Sequence, residues 1–254
     1  MSRSISSTQD RNFKYPPSKN IYWEKLRQLP PEMSQLAFGD QETEHHAGTW
    51  NSQFKNSSDS SGASGNTTRR PLHVEIGCNA GHVSLEWAKA HPEQNYIGID
   101  WKHKQVFRMV EKIHKNSLKN LLAFRANAER LPFMFAPGEI DFLHMFFPDP
   151  WPKKSQNKNR TANTAWLKSI APLLSRTGVF HLKTDHAEYF EFILENLKEL
   201  EQEFEVLEMT RDLHAHNPQA ALLKIPDVTL FERLFIKDGL PIHSVKIRSR
   251  SSSA

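Results

Sequence analysis

From Leu72 onward, short segments typical of β-strands alternate with segments of helical periodicity. This alternation is typical of an α/β fold, in which helices flank a parallel sheet. We predict strands at residues 72–76, 96–99, 121–125, 140–147, 179–183, 204–209 and 242–247, and helices at 82–90, 102–115, 163–174, 187–200 and 228–237. The expected architecture is a mostly parallel, seven-stranded sheet with helices on both faces.

The composition favours a single folded domain. A chain of 254 residues with 38% hydrophobic content can bury one substantial core. We assign that core to residues 70–250 and expect residues 1–69 to form a flexible arm that ends in a Ser/Gly-rich linker at 56–66.

Several classes of protein are excluded or disfavoured by composition. The single cysteine, Cys78, excludes an internal disulfide framework and a multi-cysteine zinc site. The histidines show no convincing metal-binding pair, so no metal is assigned. Since no apolar run approaches the ~18 residues of a membrane span, we expect a cytoplasmic protein without a membrane segment. The formal charge of +4 is compatible with a polyanionic partner but does not require one.

The stretch Phe146-Phe-Pro-Asp-Pro-Trp-Pro-Lys-Lys154 carries the strongest functional signal. An apolar run leads into it, so it should begin at the carboxyl end of a buried parallel strand, where open α/β sheets bind ligands. Pro148 and Pro150 restrict the backbone on both sides of Asp149. A Pro-Asp-Pro by itself is more often an ordinary connection, in which the aspartate caps a turn and a residue such as Trp151 fills a gap.

Residues 72–81 form a strand, a glycine-bearing turn and the start of a helix, which lets Gly77 and Gly81 bring backbone close to a cofactor. Only two glycines occur, so the dinucleotide-binding pattern is absent. Glu75 would repel a phosphate but can receive the ammonium of an amino-acid-bearing cofactor, directly or through water.

Two further polar residues end successive predicted strands. Asp100 stands where an acid can bind both ribose hydroxyls, and Asn127 can bind an adenine edge through its amide. Glu75, Asp100 and Asn127 each have an ordinary alternative role, as a solvated strand residue, a helix cap and a turn former respectively. Together they favour S-adenosylmethionine over NAD.

Six motifs carry a family resemblance. It rests on Val-Glu-Ile-Gly-Cys-x-x-Gly (74–81), Gly-Ile-Asp (98–100), Phe-Pro-Asp-Pro-Trp-Pro-Lys-Lys (147–154), Lys-Thr-Asp (183–185), Asp-Leu-His (212–214) and Thr-Leu-Phe-Glu-Arg (229–233). The sequence resembles the tRNA (guanine-N7-)-methyltransferases. The resemblance implies a Rossmann-like class I methyltransferase fold and methyl transfer from S-adenosylmethionine to N7 of a guanine in the tRNA variable loop.

The resemblance also implies roles for individual residues. The cofactor-contacting positions are Glu75, Asp100, Asn127 and Asp149, and Asp149 is also the active-site residue. The tRNA-contacting positions are Lys153, Asp185 and the segment from Thr229 to Glu232. Thr229 and Glu232 also have the spacing of a helix capping box, and Asp185 could cap the helix that follows it. This chain differs from the usual family pattern in carrying Asn79 in place of a central glycine.

The chemistry of guanine N7 indicates what Asp149 would do. N7 has a free lone pair and loses no proton on methylation, so Asp149 would position the guanine and the cofactor and would not act as a general base. Lys153, Lys154, Lys158 and Arg160 would then hold backbone phosphates beside the pocket.

Two alternatives remain open: an RNA-binding protein that keeps the fold without efficient catalysis, and a methyltransferase that acts on another substrate. The sequence is compatible with either a monomer or a homodimer.

Overall fold

The computed structural model describes Arg11 and residues 18–55, 69–215 and 228–250. Within them one sheet contains β1 (Ala37–Gly39), β2 (Leu72–Ile76), β3 (Asn95–Asp100), β4 (Leu121–Arg125), β5 (Ile140–Phe146), β6 (Leu174–Thr184), β7 (Phe204–Thr210) and β8 (His243–Ser249). The strand order is β1-β4-β3-β2-β5-β6-β8-β7. Strands β1 to β6 pair in parallel, whereas β8 is antiparallel to both β6 and β7.

The helices are α1 (Ile21–Arg27), α2 (Pro31–Ser34), α3 (Asp40–Glu44), α4 (Trp50–Gln53), α5 (His82–Ala90), α6 (His103–Lys115), α7 (Leu131–Met134), α8 (Thr164–Ile170), α9 (Ala187–Glu199) and α10 (Leu230–Lys237). Short 3-10 helices cover Ala128–Arg130, Lys154–Asn159 and Ala171–Leu173. In the described residues, no helix is both long enough and apolar enough to cross a bilayer.

The helix predicted at 163–174 is shorter than expected. It ends at Ile170, and a 3-10 turn containing Pro172 leads into β6 at Leu174. Strand β6 is correspondingly longer than predicted, and its register with β5 shifts between Ile140 and Phe142. A Cβ on Gly178 would lie 2.7 Å from the Ser175 nitrogen, so the chain folds back closely on itself there. The polar residues 175–177 and Gly178 interrupt the apolar pattern, which is why the strand was predicted to begin only at residue 179.

Two apolar layers sandwich the sheet, and alternate residues of each strand enter opposite layers. In β4, Leu121 and Ala123 join a layer with α5 and α6, whereas Leu122 and Phe124 join a layer with α7, α8 and α9. The first layer also receives partly buried residues of α1 and α2. Helices on both faces of a mostly parallel sheet are therefore confirmed.

The expectation that residues 1–69 form an arm and linker is wrong for residues 18–55. Strand β1 extends the sheet to eight strands by pairing with β4, and Ala37 lies opposite Ala123. Trp50 is fully buried, and its indole nitrogen donates to the Met134 carbonyl at 2.8 Å. Burying side chains such as Trp50 and Phe54 contributes about 2 kcal/mol or more each, which offsets the cost of ordering this segment. The predicted linker at 56–66 lies outside the described residues, as do residues 1–10 and 12–17 of the predicted arm.

The strand order locates the ligand site. From β2 the chain adds β3 and β4 on one side, and β5 and β6 then lie on the other side. In open α/β sheets, such a reversal leaves a crevice at the carboxyl ends of the central strands. The loops after β2, β3, β4 and β5 all open at this edge.

Candidate active site

A cleft of about 900 Å³ lies at the carboxyl ends of the central strands. Its volume falls in the range of small-molecule sites. Four of the residues predicted to bind the cofactor line it together: Gly77, Asp100, Asn127 and Asp149. Each follows or ends a different strand, so the shared sheet edge is what brings them to one place.

The glycine turn after β2 has three residues with positive φ: Gly77 (71°), Asn79 (56°) and Gly81 (69°). The Gly77 N–H donates to the Ile99 carbonyl at 2.8 Å, which fixes the turn to β3. A Cβ on Gly81 would lie 2.7 Å from Met109 Cγ, so Gly81 is needed for packing against α6. Gly81 is not among the residues that line the cleft, whereas Asn79 is.

Asp100 ties the end of β3 to its neighbours through both carboxylate oxygens. Oδ2 accepts from the Asn79 N–H at 3.0 Å, and Oδ1 accepts from the Lys102 N–H at 2.7 Å. Burial raises the pKa of Asp100, and these two hydrogen bonds oppose that shift. The carboxylate is therefore oriented by backbone before any ligand binds.

Glu75 lies in β2, only 6% exposed, and does not belong to the cleft lining. Its carboxylate accepts from the backbone N–H of Ser84 at 3.2 Å and from the Ser84 hydroxyl, in the first turn of α5. Burial raises the pKa of Glu75 to about 7. The alternative that Glu75 is a solvated strand residue is therefore wrong.

Asn127 forms the predicted turn and also lies at the cleft. Its side-chain oxygen accepts from the Glu129 N–H at 2.9 Å and begins the 3-10 helix Ala128–Arg130. It also lines the cleft. Because the oxygen is used in the turn, the amide NH₂ is the part of this side chain suited to donate to a ligand.

The Pro-Asp-Pro segment leaves β5 with an unusual backbone. Phe147 and Trp151 have φ values of 52° and 46°, which are uncommon for residues with a side chain. The Phe147 N–H donates to the Lys183 carbonyl at 2.8 Å, which ties the segment to the end of β6. Asp149 is exposed in the cleft.

Arg160 borders the cleft and holds this segment in place. It is 3% exposed, and its Nε donates to the Pro150 carbonyl at 2.9 Å. Its guanidinium carbon lies 5.1 Å and 5.0 Å from the ring centroids of Tyr189 and Phe192. The expectation that Arg160 holds an RNA phosphate is therefore wrong, because this buried side chain is committed to protein contacts.

A buried ionic cluster fixes the start of α10. Lys183 Nζ lies 3.1 Å from both oxygens of Glu232, and His214 Nε2 lies 2.6 Å from Oε1. The Thr229 hydroxyl accepts from the Glu232 N–H, and the Glu232 carboxylate accepts from the Thr229 N–H, so the predicted capping box is confirmed. Glu232 is fully buried, which does not fit a direct contact of its carboxylate with RNA.

The other predicted substrate residues lie at or beyond the edge of the cleft. Lys158 lines it, whereas Lys153 is exposed outside the lining. Asp185 is half-buried after β6, and it does not cap α9, because His186 accepts from the Tyr189 N–H instead. Thr229 is buried.

Trp101 is an aromatic residue of the cleft that was not predicted, whereas Phe231 lies in the segment 229–232, which the resemblance assigns to tRNA contact. Trp101 follows Asp100, and its ring centroid lies 3.9 Å from the Arg125 guanidinium carbon. Phe231, half-exposed on α10, approaches Phe147 with ring centroids 6.4 Å apart. The available signal for Trp101 was weak, since it is only adjacent to a predicted ligand residue, Asp100.

Solved methyltransferase structures share this fold. An antibiotic-related methyltransferase matches 69% of this chain and 87% of its own with a TM-score of 0.53 and 19% sequence identity. The 16S rRNA methyltransferase KamB matches 70% of this chain and 87% of its own with a TM-score of 0.52 and 17% identity. Likeness at this identity establishes the fold alone, a Rossmann-like class I methyltransferase fold.

Sequence comparison is more specific. A family model described as "Putative methyltransferase" matches residues 69–245. The tRNA (guanine-N(7)-)-methyltransferase of Macrococcus caseolyticus is 33% identical over 179 residues, or 70% of this chain and 82% of the relative. That of Bacillus cytotoxicus is 31% identical over 220 residues, or 87% and 92%. With matches of this extent around a cleft built on the family's motifs, the chain belongs to the tRNA (guanine-N7-)-methyltransferase family.

Proposed function

We propose that this protein transfers a methyl group from S-adenosylmethionine to N7 of a guanine in the variable loop of tRNA. The observation that carries the proposal is the position of Asp149. Its side chain, on a backbone restricted by two prolines, is exposed in the same cleft as Asp100 and Asn127. A substrate base held by Asp149 would therefore lie beside a nucleoside held by the other two residues. We also propose that the enzyme acts in the cytoplasm, in keeping with a tRNA substrate.

The cleft residues fit S-adenosylmethionine, which supplies an activated methyl group on its sulfonium when bound. Asp100 would accept from the ribose hydroxyls, and the Asn127 amide would donate to the adenine ring. Glu75 would receive the ammonium group, directly or through water. The acids disfavour a bound phosphate, which argues against a dinucleotide.

Asp149 would act as a positioning acceptor for guanine. Its two oxygens can accept from the guanine N1–H and the exocyclic amine, which fixes the ring and so the direction of N7. Its negative charge also offsets positive charge that develops on the base. Orientation of this kind can contribute up to ~7–11 kcal/mol in favourable systems, so no proton-abstracting residue is needed.

The residues outside the cofactor half would hold the RNA. Lys153 and Lys158 would contact phosphates, with a steep dependence of binding on salt. Asp185 and Thr229 are the further proposed substrate contacts. Glu232 would act indirectly, because its buried carboxylate holds Thr229 and the start of α10 in place.

The test is methylation of unmodified tRNA with labelled S-adenosylmethionine, followed by mapping of the modified nucleotide. We expect a single N7-methylguanine in the variable loop. Asp149→Ala should abolish turnover while cofactor binding by calorimetry and the circular dichroism spectrum stay as in the wild type. Glu201→Ala, which removes an exposed acid from the turn before β7, is the matched control and should retain full activity. Methylation of other substrates but not of tRNA would overturn the proposal.

A further inference from the structure

A surface beside the cleft combines cations with aromatic rings, and we call it the α1–α6 surface. Lys25 Nζ lies 5.1 Å from the ring centroid of Tyr22 and 5.5 Å from that of Phe107. Lys104 Nζ lies 5.9 Å from the same Tyr22 ring, and the Tyr22 and Phe107 centroids are 5.6 Å apart. Arg27 extends the pattern over Trp23, with its guanidinium carbon 4.6 Å from the ring.

This concentration is unusual for a surface that serves only the fold. Energetically significant cation–ring contacts occur about once per 70–80 residues. Here three cations on two helices make four contacts within about 6 Å of a ring centroid. Lys25, Arg27 and Lys104 are exposed, and α1 contains no buried residue. The charged groups are therefore held in defined places while they remain accessible to a partner.

The charge of the α1–α6 surface favours a polyanion. Residues 18–28 and 101–108 together contain six lysines or arginines and one acid, Glu24. The local excess of five positive charges is larger than the excess of four carried by the whole chain. Glu24 accepts a hydrogen bond from Gln28 at 2.6 Å, and Glu111 is the exposed acid further along α6.

The α1–α6 surface is continuous with the mouth of the cleft. Trp101 and Lys102 line the cleft and lead directly into α6, where Lys104 lies in the first turn. The strand order places β3, which precedes α6, on one side of β2 and β5 on the other. The surface and the Asp149 segment therefore flank the cleft from opposite sides.

We propose that the α1–α6 surface is a second contact site for the RNA substrate. Its cations would bind backbone phosphates, and its rings would stack on unpaired bases. This inference rests on the proposed function, because it takes the partner to be the tRNA whose guanine enters at Asp149. A tRNA held on both sides of the cleft would be anchored independently of the reacting base.

The experiment compares two charge-matched double variants in binding to unmodified tRNA over a range of salt concentrations. Lys25→Ala/Lys104→Ala removes two cations of the surface. Lys168→Ala/Lys198→Ala removes two exposed cations from α8 and α9, on the opposite face of the sheet. We expect the first pair to weaken binding on the order of tenfold at low salt. The slope of log K for tRNA binding against log[salt] is negative, and its magnitude should decrease by roughly 1.4–1.8, the value for two lost phosphate contacts. The control pair should leave the slope unchanged.

Each outcome decides between the proposals. S-adenosylmethionine binding by calorimetry should equal that of the wild type in both variants, which excludes misfolding. If the wild type binds and methylates tRNA but the first pair behaves like the control, the surface proposal alone is overturned. If the wild type does not bind tRNA, the proposed function fails and the surface proposal fails with it.

Discussion

Arg160 offers a direct test of how the active-site segment is held, because the sequence and the structure give it different roles. As a phosphate ligand it would contribute to RNA affinity. As a buried donor to the Pro150 carbonyl it would contribute to the position of Asp149. Arg160→Met separates these roles, since methionine keeps much of the aliphatic volume and removes the guanidinium.

The structure sets the expected size of the effect. A hydrogen bond from a charged group contributes about 1.5–3 kcal/mol, and a desolvated cation–ring contact contributes up to about 2 kcal/mol. Because these terms overlap, we expect Arg160→Met to lower the free energy of unfolding by roughly 2–4 kcal/mol. Relaxation of the Pro150 carbonyl would shift Asp149, and a shift near 1 Å costs about 100-fold in rate.

Urea unfolding, single-turnover methylation and the salt dependence of tRNA binding measure the three consequences. Arg160→Met should lose stability and rate while its salt slope stays that of the wild type. Arg160→Lys should not restore activity, because an ammonium lacks the guanidinium geometry. Lys158→Ala is the contrasting control and should reduce the slope by about one with stability within about 0.5 kcal/mol. The same pattern in Arg160→Met would refute the buried role.

Three further predictions follow from the cleft and the sheet. Glu75 must lose its proton to receive an ammonium group, and its pKa is about 7. Cofactor affinity should therefore rise about tenfold from pH 6 to pH 8. Calorimetry should show this rise in the wild type and not in Glu75→Gln. Asn79→Gly relieves a positive φ and removes a side chain that would crowd the cofactor, so it should tighten cofactor binding and change stability by less than about 1 kcal/mol. Weaker cofactor binding in this variant would show that the Asn79 side chain does not crowd the cofactor. Burial lowers the pKa of His73 to about 4 and of His181 to about 3. The stability that each neutral, buried imidazole contributes is therefore complete above pH 6.5 and is lost as the pH falls towards these values. For His73 the free energy of unfolding should fall by on the order of 3 kcal/mol. Because Glu75 has the opposite dependence, urea midpoints should be compared in the Glu75→Gln background, and a midpoint that does not change below pH 6.5 would contradict the burial effect.

The central sheet and the cleft were predictable for the same reason. Buried parallel strands are continuous apolar runs, and their carboxyl ends share one edge. Asp100, Asn127 and Asp149 could therefore be grouped without knowledge of any contact. Strand β1 could not, because three residues carry too little periodicity, and its place depends on pairing with β4.

The roles of the buried charges were not predictable. Arg160 stands in a polar, lysine-rich stretch, which indicates solvent exposure, and its burial depends on rings of α9. Lys183 and Glu232 are 49 residues apart, so local spacing contains no sign that they pair. The capping-box pattern identified the local half of the Glu232 environment and missed the half supplied by tertiary structure.

The two halves of the site are stabilised differently, and this has a functional consequence. On the cofactor side, Asp100 is oriented by backbone N–H groups of adjacent loops, which any sequence with the same turns would supply. On the substrate side, the Asp149 segment depends on the Arg160 side chain, and the start of α10 depends on the ion pair between Lys183 and Glu232. Removing one partner of a buried ion pair costs about 3–5 kcal/mol, because the remaining charge is left uncompensated. Mutations of these buried charges should therefore impair guanine positioning before they impair cofactor binding, although none of the side chains needs to touch the substrate.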